Sequence, residues 1–585
     1  MNLKTNNKRT QKGITLIALV VTIVVLLILA GVSLNAIFSE NGIINRAKDA
    51  QNKMDQATQS DLDGLNDLDK LISSLTDKTT EDKVPDELER YFLGEDKKGT
   101  LATTIVDISN APTSFKFIGN EIIPDAETSI EFKQFSQEEN TIILKVKYKN
   151  GYYIATADAT TYMTKTIKKA AKMTVTMFDT GKNVRDKMHN LMSEGTIGKD
   201  SNYSCNVSID AIEKYNGVPD LTKLTEANIV SLGESSFPIY MWAEKSGKTE
   251  IRNPLGEKGL TAEGDKDSSK KVETGKIYWW SESNSVYLNP DSSQMFAILP
   301  YLTNIDGLKD MKTDYVVDMS EMFFSFGTQL SNIDALSGWN TSKVKNMSNM
   351  FYSWGTQLSN IDALSGWNTS KVENMSGMFY RWPRTNTNSL SNVNALANWD
   401  TSKVTDMSGM FAGNCNLTNI DGLRNWNTSN VTDMRNMFGE GNCSGCAFIN
   451  LSAISNWNVK NVTDMYGMFY MCDKLEDISE IWNWNITEIA QTMFKECTNL
   501  KDITIPSTIT KISYDSFAGC ANLTKVKILV IDDTKFEVES DAFNNLASNS
   551  KIYVLSEEIK AKLEGSYDTS KTTVEVVTLE QMNNL

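Results

Sequence analysis

Along the chain the spacing of apolar side chains changes character several times, and each change predicts a different element. An uncharged run, Ile14–Phe38, follows a leader that carries Lys4, Lys8, Arg9 and Lys12 and no acid. About 20 apolar residues span a bilayer core as a helix, and a basic flank stays cytoplasmic, so this run predicts a transmembrane helix with the rest of the chain exported. Beyond it Ile44, Ala47, Met54, Leu65, Leu68, Ile72 and Leu75 recur at helical spacing, which extends an amphipathic rod to residue 76. The polar stretch SSLTDKTTEDKVPDELER, with Pro85, reads as a linker. Alternating β-branched and aromatic residues follow in TSFKFIG, TSIEFKQF and TIILKVKYKNGYYIATAD, where Asn150-Gly151 marks a hairpin. A helix, VRDKMHNLMSEG, and the β segments FPIYMWAE and GKIYWWSE come next.

From Pro290 the chain repeats itself. A phenylalanine, mostly within M-x-x-M-F, falls at Phe296, Phe323, Phe351, Phe379, Phe411, Phe438, Phe469, Phe494, Phe517 and Phe543, a mean step of about 27 residues. The units carry an L-x-x-I-D-x-L box, such as Leu330, Ile333 and Leu336, and Trp339, Trp367, Trp399, Trp426, Trp457 and Trp484 each precede a polar turn. Residues 327–344 and 355–372 are the same 18 residues, the mark of a tandem duplication. A unit of this kind buries its apolar edge only by stacking on its neighbours. The gap from each phenylalanine to the next box is uneven, so insertions gather at one corner, where stacked repeats commonly carry a binding surface. The longest, Tyr380–Ser389, offers Tyr380, Arg381, Trp382 and Arg384, residue types enriched at binding hot spots, as a candidate binding edge. The alternative is a duplication scar whose aromatics pack locally. The Asp or Asn before each first methionine, from Asp318 to Asp464, predicts a ladder of turn caps. Cys472, Cys497 and Cys520 each stand three residues after the repeated phenylalanine and Cys415 four after, and this recurrence predicts buried free thiols.

Composition narrows the chemistry. The 585 residues hold 74 acidic and 58 basic side chains, a net charge of −16, which argues against a nucleic-acid partner. His189 is the sole histidine, which removes two-histidine metal sites and leaves one imidazole for any catalytic triad. Ser246-Gly247-Lys248-Thr249 ends like a phosphate loop, but Trp242 stands where the first glycine belongs. The sequence points to no catalytic group, metal or cofactor. An enzyme reading would have to rest on carboxylates such as Asp318 or Glu321, and no pair is singled out.

Two resemblances follow from quoted motifs. The junction KGITLIALV resembles the amino-terminal segment of type IV pilins and pseudopilins, which implies cleavage between Gly13 and Ile14 by a prepilin peptidase and contact with other pilin subunits. Ala18 stands where pilins usually carry a glutamate, so a plain membrane anchor stays open beside a minor or tip subunit. The unit WDTSKVTDMSGMFAGNCNLTNIDGL and the later LKDITIPSTITKISYDSFAGCANLTKV resemble the repeats of BspA-like leucine-rich-repeat surface proteins. That family implies binding to host, matrix or other bacterial surface proteins or glycans, and no catalytic residue. The expected fold is therefore mixed, with a pilin-like transmembrane helix, a small β-rich domain and a leucine-rich-repeat β-solenoid of about ten coils. The expected divisions are a leader 1–13, helix 14–76, linker 77–90, β-rich domain 91–165, mixed domain and cap 166–290, repeats 291–545 and a terminal cap 546–585. The expected location is the cell surface, held by the amino-terminal helix or carried on a filament. The second reading of the whole chain is a structural subunit of a filament or secretion machine.

Overall fold

Leu88, Phe92 and Leu93 recur on one side of helix α1 (Asp86–Leu93) and are buried. The computed structural model describes residues 84–93, 104–106, 116–118, 129–136, 141–148, 151–158, 164–169, 175–192, 208–233, 235–252, 270–299, 301–325, 329–353, 358–381, 390–439 and 446–585. All lie in one unit, Leu75–Leu585, whereas the other, Met1–Ser74, holds Gly13, Ile14 and the apolar run, outside the described residues.

Strands β1 (Thr104–Val106) and β2 (Lys116–Ile118) pair antiparallel. Strands β3 (Ser129–Ser136), β4 (Thr141–Tyr148), β5 (Gly151–Asp158) and β6 (Thr164–Lys169) make an antiparallel meander in chain order, with Tyr148 paired to Gly151. After β7 (Thr176–Met177) comes helix α2 (Gly181–Met192), which buries Val184 and Met188. His189 on α2 places Nε2 3.2 Å from the Ala297 carbonyl oxygen, and burial, then Arg185, lowers its pKa.

Strands β8 (Ser208–Lys214), β9 (Tyr240–Arg252) and β10 (Lys270–Trp280) form a sheet in the order β8-β10-β9. The segment Ser246–Thr249 lies inside β9, as strand and not as a phosphate loop. Period-two alternation buries Ile212, Met241, Ile277 and Trp279 on one face. That face meets the first repeat unit: Ala211 bridges to Asn304, and the Trp279 indole N–H donates to the Gly307 carbonyl at 3.1 Å. The approach is close enough to require glycine, since a Cβ at Gly307 would come 2.6 Å from the Glu213 backbone.

Strands β11 (Val286–Tyr287) and β12 (Met311–Lys312) join β7 in a parallel ladder, and the repeat units follow. From Phe296 to Phe543 the rings of successive units stack, with centroids 5.5–5.8 Å apart. A second series runs from Trp339 to Trp484 at 6.3–6.5 Å. Each of these indoles donates to a carbonyl of the preceding unit's box, as Trp399 does to Leu364 at 3.1 Å. The paired methionines, such as Met347 with Met350 and Met407 with Met410, fill the space between and are fully buried.

The expected fold needs correction. Among the described residues no helix is long and apolar enough to cross a membrane. The protein is β-rich with short helices, and among the described residues from Thr313 to Thr487 the units carry no strands that would close a leucine-rich-repeat β-solenoid. Unit meets unit there through single-residue parallel bridges, such as Asp318 to Asn346 and Asn346 to Asn374. The box is a 3-10 turn, Asp334–Leu336 in one unit and Asp362–Leu364 in the next. Two local causes break the strand. Asn332 Oδ1 accepts the Asp334 N–H at 2.7 Å, which folds the box into an Asx turn. The residue two before each phenylalanine is left-handed, with φ between +50° and +61° from Gln294 through Gly377 to Asp541. Strands return only late. β13 (Glu488–Ile489), β15 (Lys511–Ile512) and β17 (Glu537–Val538) make one parallel sheet. β14 (Asp502–Ile505), β16 (Lys525–Ile528), β18 (Ser550–Val554) and β19 (Thr572–Val576) make another. Helices α3 (Glu557–Lys562) and α4 (Leu579–Asn583), each with a side-chain N-cap, accompany the last strands.

The cysteines divide. Cys446, Cys472, Cys497 and Cys520 are buried free thiols, and burial raises the pKa of Cys497 and Cys520. Cys415, expected in the same class, is instead disulfide-bonded.

Candidate functional site

The corner that collects insertions follows each buried phenylalanine. Segments 326–328, 354–357, 382–389 and 440–445 lie outside the described residues, but their roots are well defined. Ser325, Ser353 and Arg381 pair as consecutive parallel bridges. Their N–H groups donate to the next unit: Ser325 to Tyr352 and Ser353 to Tyr380, both at 3.1 Å, and Arg381 to Ala412 at 2.9 Å. One residue earlier, the Phe324 and Tyr352 rings stack at 4.9 Å, and Tyr352 and Tyr380 at 4.6 Å with planes 5° apart. All three rings are half-buried. In sequence, the three units that carry this aligned aromatic row have longer gaps to the next box, seven, seven and eleven residues from Phe323, Phe351 and Phe379, against six from Phe296 and Phe411.

Of the four residues expected at this edge, Tyr380 closes the row and Arg381 lies beneath it, 2% exposed. Burial lowers the Arg381 pKa to about 10, which leaves it cationic at neutral pH. It belongs to the root of the insertion rather than to its tip. Trp382 and Arg384 lie outside the described residues. Phe324 and Tyr352 were not singled out in the sequence, although an aromatic after the repeated phenylalanine is visible there in three consecutive units.

The polar ladder runs beside the methionines. Asp291, Asp318, Asn346, Asn374, Asp406, Asp433 and Asp464 are joined by parallel bridges. Each side chain from Asp318 onward accepts the N–H two residues ahead, at 2.7 Å for Ser320 and 2.9 Å for Ser408. These are turn caps. Burial raises the pKa of Asp318 and of Asp406. Arg435 lies against both Asp433 and Asp464, at 2.8 and 3.5 Å. Among the described residues no group of His, Cys, Asp and Glu could hold a metal ion. Glu321 accepts from the Gln294 amide at 2.9 Å.

Residues 290–392 and 386–506 match the family model described as Mycoplasma protein of unknown function, DUF285. The DUF285 matches take in the M-F units, the aromatic row and the whole turn-cap ladder from Asp291 to Asp464. No curated protein and no solved structure matches the chain.

Proposed function

We propose that this chain is a non-enzymatic surface protein whose stacked units display a binding edge for host, matrix or bacterial surface proteins or glycans. The observation that carries the reading is the aligned row Phe324, Tyr352 and Tyr380, in the three successive units whose sequence lengthens at that corner. A buried framework that repeats with little change, combined with variation confined to one corner, suits recognition by many modest contacts. The resemblance to BspA-like surface proteins supports the same reading, and the DUF285 match is compatible with a surface protein. Deleting residues 382–389, which leaves Tyr380 and Arg381 in the framework, tests the edge. Attachment of cells to matrix-coated surfaces is expected to fall, and unchanged attachment would remove this insertion from the site.

The junction KGITLIALV favours a second reading, a minor pilin or pseudopilin that assembles with other pilin subunits after a prepilin peptidase cuts between Gly13 and Ile14. Mass spectrometry of the amino terminus separates the two. A methylated Ile14 in sheared filaments supports filament carriage, and an intact Met1 confined to membranes supports a simple membrane attachment.

A further inference from the structure

The sheet that meets the first repeat unit has a second face. Its inner side chains satisfy the core, yet on the opposite side alternate positions of β9 and β10 carry Tyr240, Trp242 and Glu244, and Lys276, Tyr278 and Trp280. Tyr240 pairs across the strands with Trp280, Trp242 with Tyr278, and Glu244 with Lys276. The Trp242 and Tyr278 rings lie 5.9 Å apart with planes inclined by 27°, and Tyr240 and Trp280 lie 6.2 Å apart at 32°. Tyr215, just past the end of β8, sets its ring against both Trp242 and Tyr278, at 5.1 and 5.9 Å. All five rings are half-buried. No aliphatic side chain stands among these outward positions.

We propose that this outward face is a platform for neutral pyranose chains, a site separate from the insertion edge. A pyranose ring offers a face of C–H groups that stacks on an aromatic ring and a rim of hydroxyls that needs donors and acceptors. The rings supply the first and the margin supplies the second. Lys276 Nζ is held 2.8 Å from a Glu213 carboxylate oxygen, and the Trp242 indole N–H donates to Glu244 at 3.3 Å, so charged and polar groups are already fixed beside the rings. The two aromatic pairs are two residues apart along the strands, about 7 Å, which seats neighbouring sugar rings. Glu213, Glu244 and the net charge of −16 disfavour an acidic sugar. An apolar peptide would call for aliphatic contacts, which these positions lack. The proposal rests on the display reading only for its biological use.

The test is calorimetric titration of the full chain, held in a detergent without a sugar headgroup, with chitohexaose, mannohexaose and xylohexaose. At least one hexaose is expected to bind in the micromolar to millimolar range. Trp242→Ala and Trp280→Ala should each weaken it by about tenfold, Trp242→Phe should retain most of it, and deletion of residues 382–389, which spares the framework residues Tyr380 and Arg381, should leave it unchanged. That last variant separates failure of the platform from failure of the insertion edge. Absence of binding by all three hexaoses, or equal binding by Trp242→Ala with an unchanged melting temperature, overturns the proposal. So does capture by immobilised gelatin that Trp242→Ala abolishes when no hexaose binds, since the face would then dock protein.

Discussion

Thr492 occupies a backbone position that costs a β-branched side chain energy. Its φ is +55°, in a register where other units place Gly377, Gly409 and Gly467, and its buried hydroxyl has no hydrogen-bond partner. Thr492→Gly is expected to stabilise the protein by about 1 kcal/mol, read from thermal unfolding, because relief of left-handed strain outweighs the added chain entropy. Asp406 makes a prediction that depends on pH. Burial is the largest cause of its raised pKa, followed by bonds from Ser408 that act the other way and by the neighbouring Asp433, which raises it further. As pH rises the unfolded chain ionises first, so the penalty is absent at low pH and complete above the folded value. Asp406→Asn keeps the acceptor for the Ser408 N–H, as Asn346 and Asn374 do for Ser348 and Ser376. It should raise the melting temperature at pH 7, with the gain disappearing as pH falls through the carboxylate range.

At the scale of elements, neighbouring units are held by repeated polar locks as well as by rings. Thr341, Thr369, Thr401 and Thr428 are buried, and each hydroxyl donates to a carbonyl of the following unit, Thr401 to Asn427 at 3.0 Å. Thr401→Val keeps the shape but leaves that carbonyl without its donor, a loss of about 1–3 kcal/mol by denaturant unfolding. The period of these locks was legible in the sequence, because side chains that stack in register must recur in register. The strand expectation failed in the M-F units, where Asx turns and left-handed residues interrupt extended backbone. Strands appear late, where Ile503 and Ile505, and Val526 and Ile528, alternate with exposed or half-buried positions, whereas in β18 Tyr553 is buried between Ile552 and Val554. The left-handed register could have been read from Asn349, Gly377, Gly409, Asn436 and Gly467, all two residues before the phenylalanine. Cys415 stands four residues after its phenylalanine where Cys472, Cys497 and Cys520 stand three after, but this offset alone does not reveal its disulfide, which depends on a partner brought from elsewhere in the chain.

For the whole molecule, a framework of aromatic series and turn caps holds one corner where chain length varies. Tyr380 was legible as part of that corner, but the burial of Arg381 was not, because hot-spot composition carries no information about which side chains a neighbouring unit covers. Likewise FPIYMWAE and GKIYWWSE read as strands, while the two-faced aromatic sheet they form appears only once Trp242 is paired with Tyr278. The account stands most directly on attachment by intact cells. Cells that produce the full chain and cells that lack it should be compared on surfaces coated with matrix protein, with neutral glycan and with other bacteria. At least one surface should retain far fewer of the cells that lack the chain; equal retention on every surface would contradict a role in surface binding.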